Sequence, residues 1–164
     1  MQRGGTMFSA LEVLKIAAKL EENGENFYRK AMALQQDPEL LKVLEELAED
    51  EAKHRKWFED FQERLQEQPE DRWVQEISGD LLQSMVGDQS FSLQEVDPAD
   101  LDSLEKILAT AIEFEKDTIL FYDMLRGFMD EGESEQALRQ IIEEERLHVE
   151  VLEARLAALQ ASPA

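Results

Sequence analysis

Cysteine is absent from the 164 residues, and with it go disulfides, thiolate metal sites, thiol catalysis and cysteine-ligated iron–sulfur clusters. No apolar run approaches the roughly eighteen residues that a membrane span needs, and the opening MQRGGTMFSA lacks a long apolar stretch before a small-residue cleavage site. The expectation is a soluble, unexported, cytoplasmic protein with no membrane partner. Positive charge is scarce too: 17 Lys and Arg face 38 Asp and Glu, for a formal net charge of −21. Such a surface repels a polyanionic backbone, which argues against nucleic-acid binding, and it enriches cations locally. Its ordinary use is a solvated exterior. Histidine is scarcer still, with two in all, and both stand three residues after a glutamate: Glu51-Ala52-Lys53-His54 and Glu145-Arg146-Leu147-His148.

What is present reads as helix. A hydrophobic fraction of 43% in a chain of this length suits one domain over 1–164 with a sizeable core. Residues 1–8 read as a loose arm. Ser9 and Glu12 have the capping-box spacing, and Leu11, Leu14, Ala17, Ala18, Glu21, Gly24 and Tyr28 keep the helical period, predicting a first helix to about Gln36. Gly24 inside it costs about 1 kcal/mol relative to Ala, which suggests a close helix approach or an unoptimised position. Asp37-Pro38 supplies a cap and an N1 proline for a second helix, whose inward row is Leu40, Leu44, Leu47, Glu51, His54, Phe58, Phe61 and Leu65. The short connection makes 9–67 a helical hairpin.

Between 68 and 97 the pattern weakens around Pro69, Gly79 and Gly87. A short helix at 71–84 and an extended 87–96 are expected, in a crossover long enough to return the chain along the bundle. Trp73, Val74 and Ile77 read as packing against the bundle or a subunit partner. Asp97-Pro98 repeats the cap-and-proline signal and predicts a third helix from about Ala99 to Arg126. Ser134 is the expected cap of the fourth, which carries Leu138, Ile141, Ile142, Glu145, His148, Val149, Leu152, Leu156 and Leu159. The second hairpin then covers 98–160, and the fold class is all-α: an antiparallel four-helix bundle of two hairpins joined by a long crossover.

Adding 94 to positions in the first hairpin gives the second. Ala17 maps to Ala111, Glu21 to Glu115, Phe27 to Phe121, Tyr28 to Tyr122, Leu44 to Leu138, Glu51 to Glu145 and His54 to His148, without a gap. With only two copies, a duplicated hairpin forming a pseudo-twofold bundle is the simplest account. Duplication explains repeated apolar residues; it does not explain polar ones on the buried stripe twice.

Those polar residues are Glu21, Glu51, His54, Glu115, Glu145 and His148, which a bundle can bring to one depth. Four ionised carboxylates cannot share dry space without cations, because desolvation and mutual repulsion both drive protonation. Two divalent metals balance the charge, with Glu51 and Glu145 bridging, Glu21 and Glu115 terminal, and one imidazole on each ion. Carboxylate and imidazole suit iron or manganese, and zinc can occupy the same groups. A single Glu-x-x-His pair would more ordinarily be a surface contact or a satisfied core histidine; two in register, each with a Glu thirty residues earlier, make a dinuclear site the better reading. Tyr28 and Tyr122, two turns beyond Glu21 and Glu115, are candidates to donate to a ligand carboxylate or to assist proton and electron movement, with ordinary core packing the alternative. Asp50 and Glu144, four residues before the histidines, are candidates to support them, though an outer solvated face is the more ordinary place for both.

The segments LEENGENFY from Leu20 and EDEAKH from Glu49, repeated as FEKDTILFY from Phe114 and EEERLH from Glu143, resemble the hairpin signatures of rubrerythrin-type members of the ferritin-like di-iron superfamily. The resemblance covers about 9–160. It implies the ferritin-like bundle, two iron ions per subunit, a homodimer, and reduction of hydrogen peroxide with electrons from a small electron-transfer protein. Lacking the four cysteines of a rubredoxin-like domain, the chain needs an external donor. Thr118 also stands where many rubrerythrins place a further glutamate, the ligand whose release accompanies an iron-to-histidine change.

The leading expectation is a non-haem diiron oxidoreductase reducing peroxide or oxygen. Iron oxidation and storage is an alternative, although Ala52 stands where a bacterioferritin places its haem-ligating methionine. Manganese catalase uses similar ligands without an external reductant. A hydroxylase of an organic substrate, for which no pocket is legible, and a non-enzymatic acidic scaffold or metal-responsive interaction module complete the alternatives.

Overall fold

The computed structural model describes residues 7–67, 76–78 and 96–161. Four long helices dominate: α1 (Ala10–Met32), α2 (Pro38–Glu67), α3 (Leu104–Gly127) and α4 (Glu133–Ala161). They form two hairpins, α1–α2 and α3–α4, joined by the crossover in an all-α four-helix bundle. Among the described residues, no helix is long and apolar enough to cross a membrane.

The inward row expected for α2 is the buried row observed, from Leu40 through Leu65, including Glu51 and His54. A helix with one such stripe must bury it against partners, and Leu14, Phe27, Leu44, Phe58, Leu108, Phe121, Leu125, Leu138 and Leu152 supply the shared core from all four helices. Each fully buried Leu or Phe stabilises the bundle by about 1.5–3 kcal/mol. Leu159 is exposed on the last turns of α4.

The helix boundaries show which local signals won. Asp37 accepts from the Glu39 backbone N–H at 3.2 Å, as a cap before an N1 proline should. The first helix stops at Met32 rather than Gln36, because Ala33, Leu34 and Gln35 tighten into bonds to the carbonyls three residues back. Asp97 does accept from the Ala99 N–H at 3.0 Å, but it caps only a 3₁₀ turn, Pro98–Asp100. Leu101 is then extended and turns toward the core, and Ser103 provides the true cap of α3 by accepting from Lys106 N–H at 3.1 Å. The third helix therefore starts at Leu104, not Ala99. The fourth begins at Glu133, with the Gly132 carbonyl taking its first helical bond, so Ser134 lies inside the first turn. Buried Glu135 accepts from Arg126 at 3.3 Å and Arg139 at 2.7 Å, tying the end of α3 to the start of α4.

Two short strands correct the reading of the N-terminal arm and the crossover. Met7–Ser9 (β1) pairs antiparallel with Glu76–Ser78 (β2), Phe8 opposite Ile77. Residues 76–78 are thus extended where a helix over 71–84 is expected, and 7–8 belong to a strand rather than a loose arm. A strand pair of three residues carries no sequence period long enough to detect. The rest of that expected helix, Trp73, Val74 and most of the extended 87–96 lie outside the described residues.

Candidate metal centre

The six polar residues of the inward stripes converge at one level of the bundle. Glu21 comes from α1, Glu51 and His54 from α2, Glu115 from α3, and Glu145 and His148 from α4; all are at most 5% exposed. They fall into two overlapping groups whose ligand-type atoms lie within 4.8 Å of one another: Glu21, Glu51, His54 and Glu145, and Glu51, Glu115, Glu145 and His148. Glu51 and Glu145 are common to both. Each group is completed by the other Glu and the His of a single hairpin, so the offset of 94 maps one group onto the other.

Supporting contacts cross between hairpins. Tyr28 OH donates to Glu115 Oε2 at 2.6 Å, and Tyr122 OH donates to Glu21 Oε2 at 2.6 Å. His54 Nε2 lies 2.7 Å from Glu144 Oε1, and His148 Nε2 lies 3.1 Å from Asp50 Oδ2. With the proton on Nε2, each imidazole donates outward to an acid and turns Nδ1 inward as a lone pair. His54 Nδ1 is 3.5 Å from both Glu21 and Glu145; His148 Nδ1 is 2.9 Å from Glu145 and 3.3 Å from Glu51 and Glu115. The two rings stack with centroids 6.2 Å apart. Asp50 and Glu144, assigned from sequence more readily to a solvated face, thus hold the histidines of the opposite hairpin.

Gly24 explains how the helices close around the carboxylates. A Cβ built there would collide with Glu51 Oε1 and lie 3.2 Å from Glu51 Cδ and 3.3 Å from Phe114 Cε2. Any side chain would displace Glu51, so the glycine is a close approach rather than an unoptimised position. The offset carries Gly24 onto Thr118, which is buried with no hydrogen-bond partner for its hydroxyl. Neither position adds a carboxylate.

The electrostatics show what the arrangement lacks as a purely protein structure. Burial, then the charge of Glu145, pushes Glu21 up to about 7 and Glu115 up to about 8. Burial with the charges of Glu115 and Glu145 holds Glu51 well above the usual carboxylate range. Burial acts on Glu145 in the same sense, but contacts with His148 and His54 outweigh it and leave that carboxyl well below its ordinary value. The imidazoles are pushed down by burial and raised further than that by surrounding carboxylates, Glu21 around His54 and Asp50, Glu115 and Glu145 around His148. Burial, reinforced by Glu115 and Glu21 respectively, raises Tyr28 and Tyr122, so both phenols remain protonated donors. The group therefore draws in positive charge.

Unpartnered atoms converge on the same place. Glu21 Oε1, Glu51 Oε2, His54 Nδ1, Glu115 Oε1 and both oxygens of Glu145 are buried without a hydrogen-bond partner. Buried polar atoms are normally satisfied, and this concentration of oxygen and imidazole nitrogen is the donor set of a hard or borderline divalent cation. The residues fit a carboxylate-bridged metal pair.

A protein-family model, Rubrerythrin, matches residues 12–83. No curated protein matches the chain. Among solved structures, a provisionally assigned ferritin-like diiron-carboxylate protein from Thermotoga maritima superposes with a TM-score of 0.71 at 24% identity, covering 94% of this chain and 98% of that one. Residues 12–83 are thus similar to the Rubrerythrin family, and the described helices share the ferritin-like fold of that structure, with no cysteine among the 164 residues to build a rubredoxin-type iron site.

Proposed function

We propose that the protein is a non-haem diiron oxidoreductase that reduces hydrogen peroxide or dioxygen with electrons from an external donor. The observation that carries this is the pair of four-residue clusters sharing Glu51 and Glu145. Glu21 and His54 would complete one metal position, Glu115 and His148 the other, and the two shared glutamates would bridge them. A bound iron pair supplies two-electron redox chemistry that none of these side chains possesses.

The protein's own part is positioning and charge. Tyr122 and Tyr28 hold one oxygen of Glu21 and Glu115 at 2.6 Å, which directs the free oxygen of each inward. Glu144 and Asp50 fix the histidine ring orientation and tautomer, and an acid on the outer nitrogen raises ligand basicity. The buried Phe114 ring, beside Glu51 at Gly24, excludes water and strengthens electrostatic interactions inside.

The test begins with metal content per subunit in freshly isolated protein and in a Glu51→Ala/Glu145→Ala double variant. Two irons in the parent, lost in the variant, are expected, followed by peroxide consumption above a metal-free control when ferrous iron and a reductant are supplied. Two manganese ions with oxygen release from peroxide would replace this activity by a catalase. Metal without any peroxide or oxygen consumption would refute the oxidoreductase.

A further inference from the structure

Trp57, Phe58 and Tyr122 form a continuous aromatic line from the outer side of α2 to the carboxylate cluster. The Trp57 and Phe58 ring centroids are 5.1 Å apart with planes at 77°, and Phe58 and Tyr122 are 5.1 Å apart at 47°. Tyr122 reaches Glu21 through the 2.6 Å hydrogen bond. Phe58 and Tyr122 are fully buried, whereas Trp57 is only partly so.

The duplication supplies an internal comparison. At the offset of 94, Trp57 maps onto Val151 and Phe58 onto Leu152, while Tyr122 is the counterpart of Tyr28. The two tyrosines are therefore matched at the cluster, but Val151 and Leu152 stand where rings leading outward from Tyr28 would be. Packing does not require rings there, because Leu152 fills the equivalent place at 0% exposure.

Resting on the diiron reading above, we propose that Trp57, Phe58 and Tyr122 are a one-electron relay between the surface and the metal centre, with Trp57 as the terminus that exchanges electrons with the external donor. The oxidant is hydrogen peroxide and the reductant a one-electron donor. An electron drawn inward leaves the Trp57 indole one electron short; its Nε1 proton passes to solvent. The neutral radical then takes one electron from the donor and one proton from water, which restores the indole. Two such cycles match the two electrons, taken with two protons, that convert one hydrogen peroxide into two waters. Phe58 is not itself oxidised; its ring stands 5.1 Å from both neighbouring rings, and the electron tunnels across that aromatic bridge, which a leucine side chain would leave incomplete. The rest of the chain's second hairpin has no counterpart at 151 and 152, so the relay is one-sided.

The experiment loads the protein with ferrous iron, verifies two ions per subunit, and adds hydrogen peroxide without a donor. Oxygenation at Trp57 and Trp73 is then read by peptide mass spectrometry, and radicals by freeze-quenched electron paramagnetic resonance. Phe58→Leu installs the residue that the second hairpin carries at the same place. Trp57 should be oxygenated well ahead of Trp73, and Phe58→Leu should lower its oxygenation by about tenfold at unchanged metal content. An indole radical should survive Trp73→Phe and vanish in Trp57→Phe. Equal Trp57 oxygenation in Phe58→Leu and the parent, or a radical persisting in Trp57→Phe, would overturn the relay while leaving the metal centre standing. Failure of the parent to hold two ions would instead overturn the diiron reading and the relay with it.

Discussion

Without bound metal the protein should become less stable as pH rises, the opposite of ordinary acid denaturation. Glu21 and Glu115 have folded values of about 7 and about 8 against a usual 4.5, because both are buried and both face the charge of Glu145. Each holds a proton in the fold that the unfolded chain has already shed. That contribution is complete below 4.5, declines as pH rises, and is lost once pH passes the folded value. For Glu21 alone the interval corresponds to about 3 kcal/mol, and for Glu115 to about 5 kcal/mol, although shared repulsion from Glu145 prevents simple addition. Glu51 acts in the same direction. The raised histidines begin to lose their contribution above 6.5 and reinforce the trend. Glu145 has the opposite sign: its contribution is present above 4.5 and is lost only as pH falls through its depressed value.

Against a total stability of about 5–15 kcal/mol these are large effects. At roughly 2–4 °C per kcal/mol for a chain of this size, Glu21 alone should lower the melting midpoint by roughly 10 °C between about pH 5 and about pH 9. Metal ions take the place of those protons, so the reloaded protein should lose most of this slope. The assay is thermal unfolding by circular dichroism, on chelated and reloaded samples across that range. A chelated protein whose midpoint stays flat or rises with pH would refute the burial of three carboxylates around Glu145.

Tyr122→Phe removes the donor to Glu21, and metal affinity measured by chelator competition should drop about 10- to 100-fold with the fold intact by circular dichroism. Glu144→Gln should weaken metal binding over the same range of about 10- to 100-fold, although it lies in the other hairpin from His54; unchanged affinity would show that the outer acid is dispensable. Gly24→Ala gains about 1 kcal/mol of helix propensity but drives a methyl group into Glu51. Reduced metal loading is the expected outcome, and a variant that loads normally and melts higher would contradict the close contact.

The convergence of the six inward polar residues was readable because it combines two independent signals, a helical period and a single register between halves. Either alone would have left Glu51-x-x-His54 as an ordinary surface pair. What the sequence did not reveal lies between helices rather than along them. Asp50 sits four residues before His54, and the natural reading looks for a neighbour within α2; its partner is His148, across the bundle. The same holds for Tyr28, whose place two turns beyond Glu21 marks it as a donor to a ligand carboxylate without saying which, and whose bond goes to Glu115. The misplaced start of α3 has a local cause: Asp97 and Ser103 are both competent caps, and the long helix starts from the second, after the half-buried Leu101 has turned extended toward the core. The β1–β2 pair was illegible because three residues per strand show no alternation.

The exchange of contacts between hairpins bears on how a duplicated segment can diverge. Copies of a gene segment usually drift apart once one of them suffices, yet here Tyr28 serves Glu115, Tyr122 serves Glu21, Asp50 serves His148 and Glu144 serves His54. A lost side chain in either copy damages the opposite half, so neither copy is redundant and both remain under the same restraint at the centre. The outward faces carry no such mutual debt. There Lys53 has become the counterpart of Leu147, and Trp57 of Val151, leaving the protein symmetric where its halves depend on each other and individual where they do not.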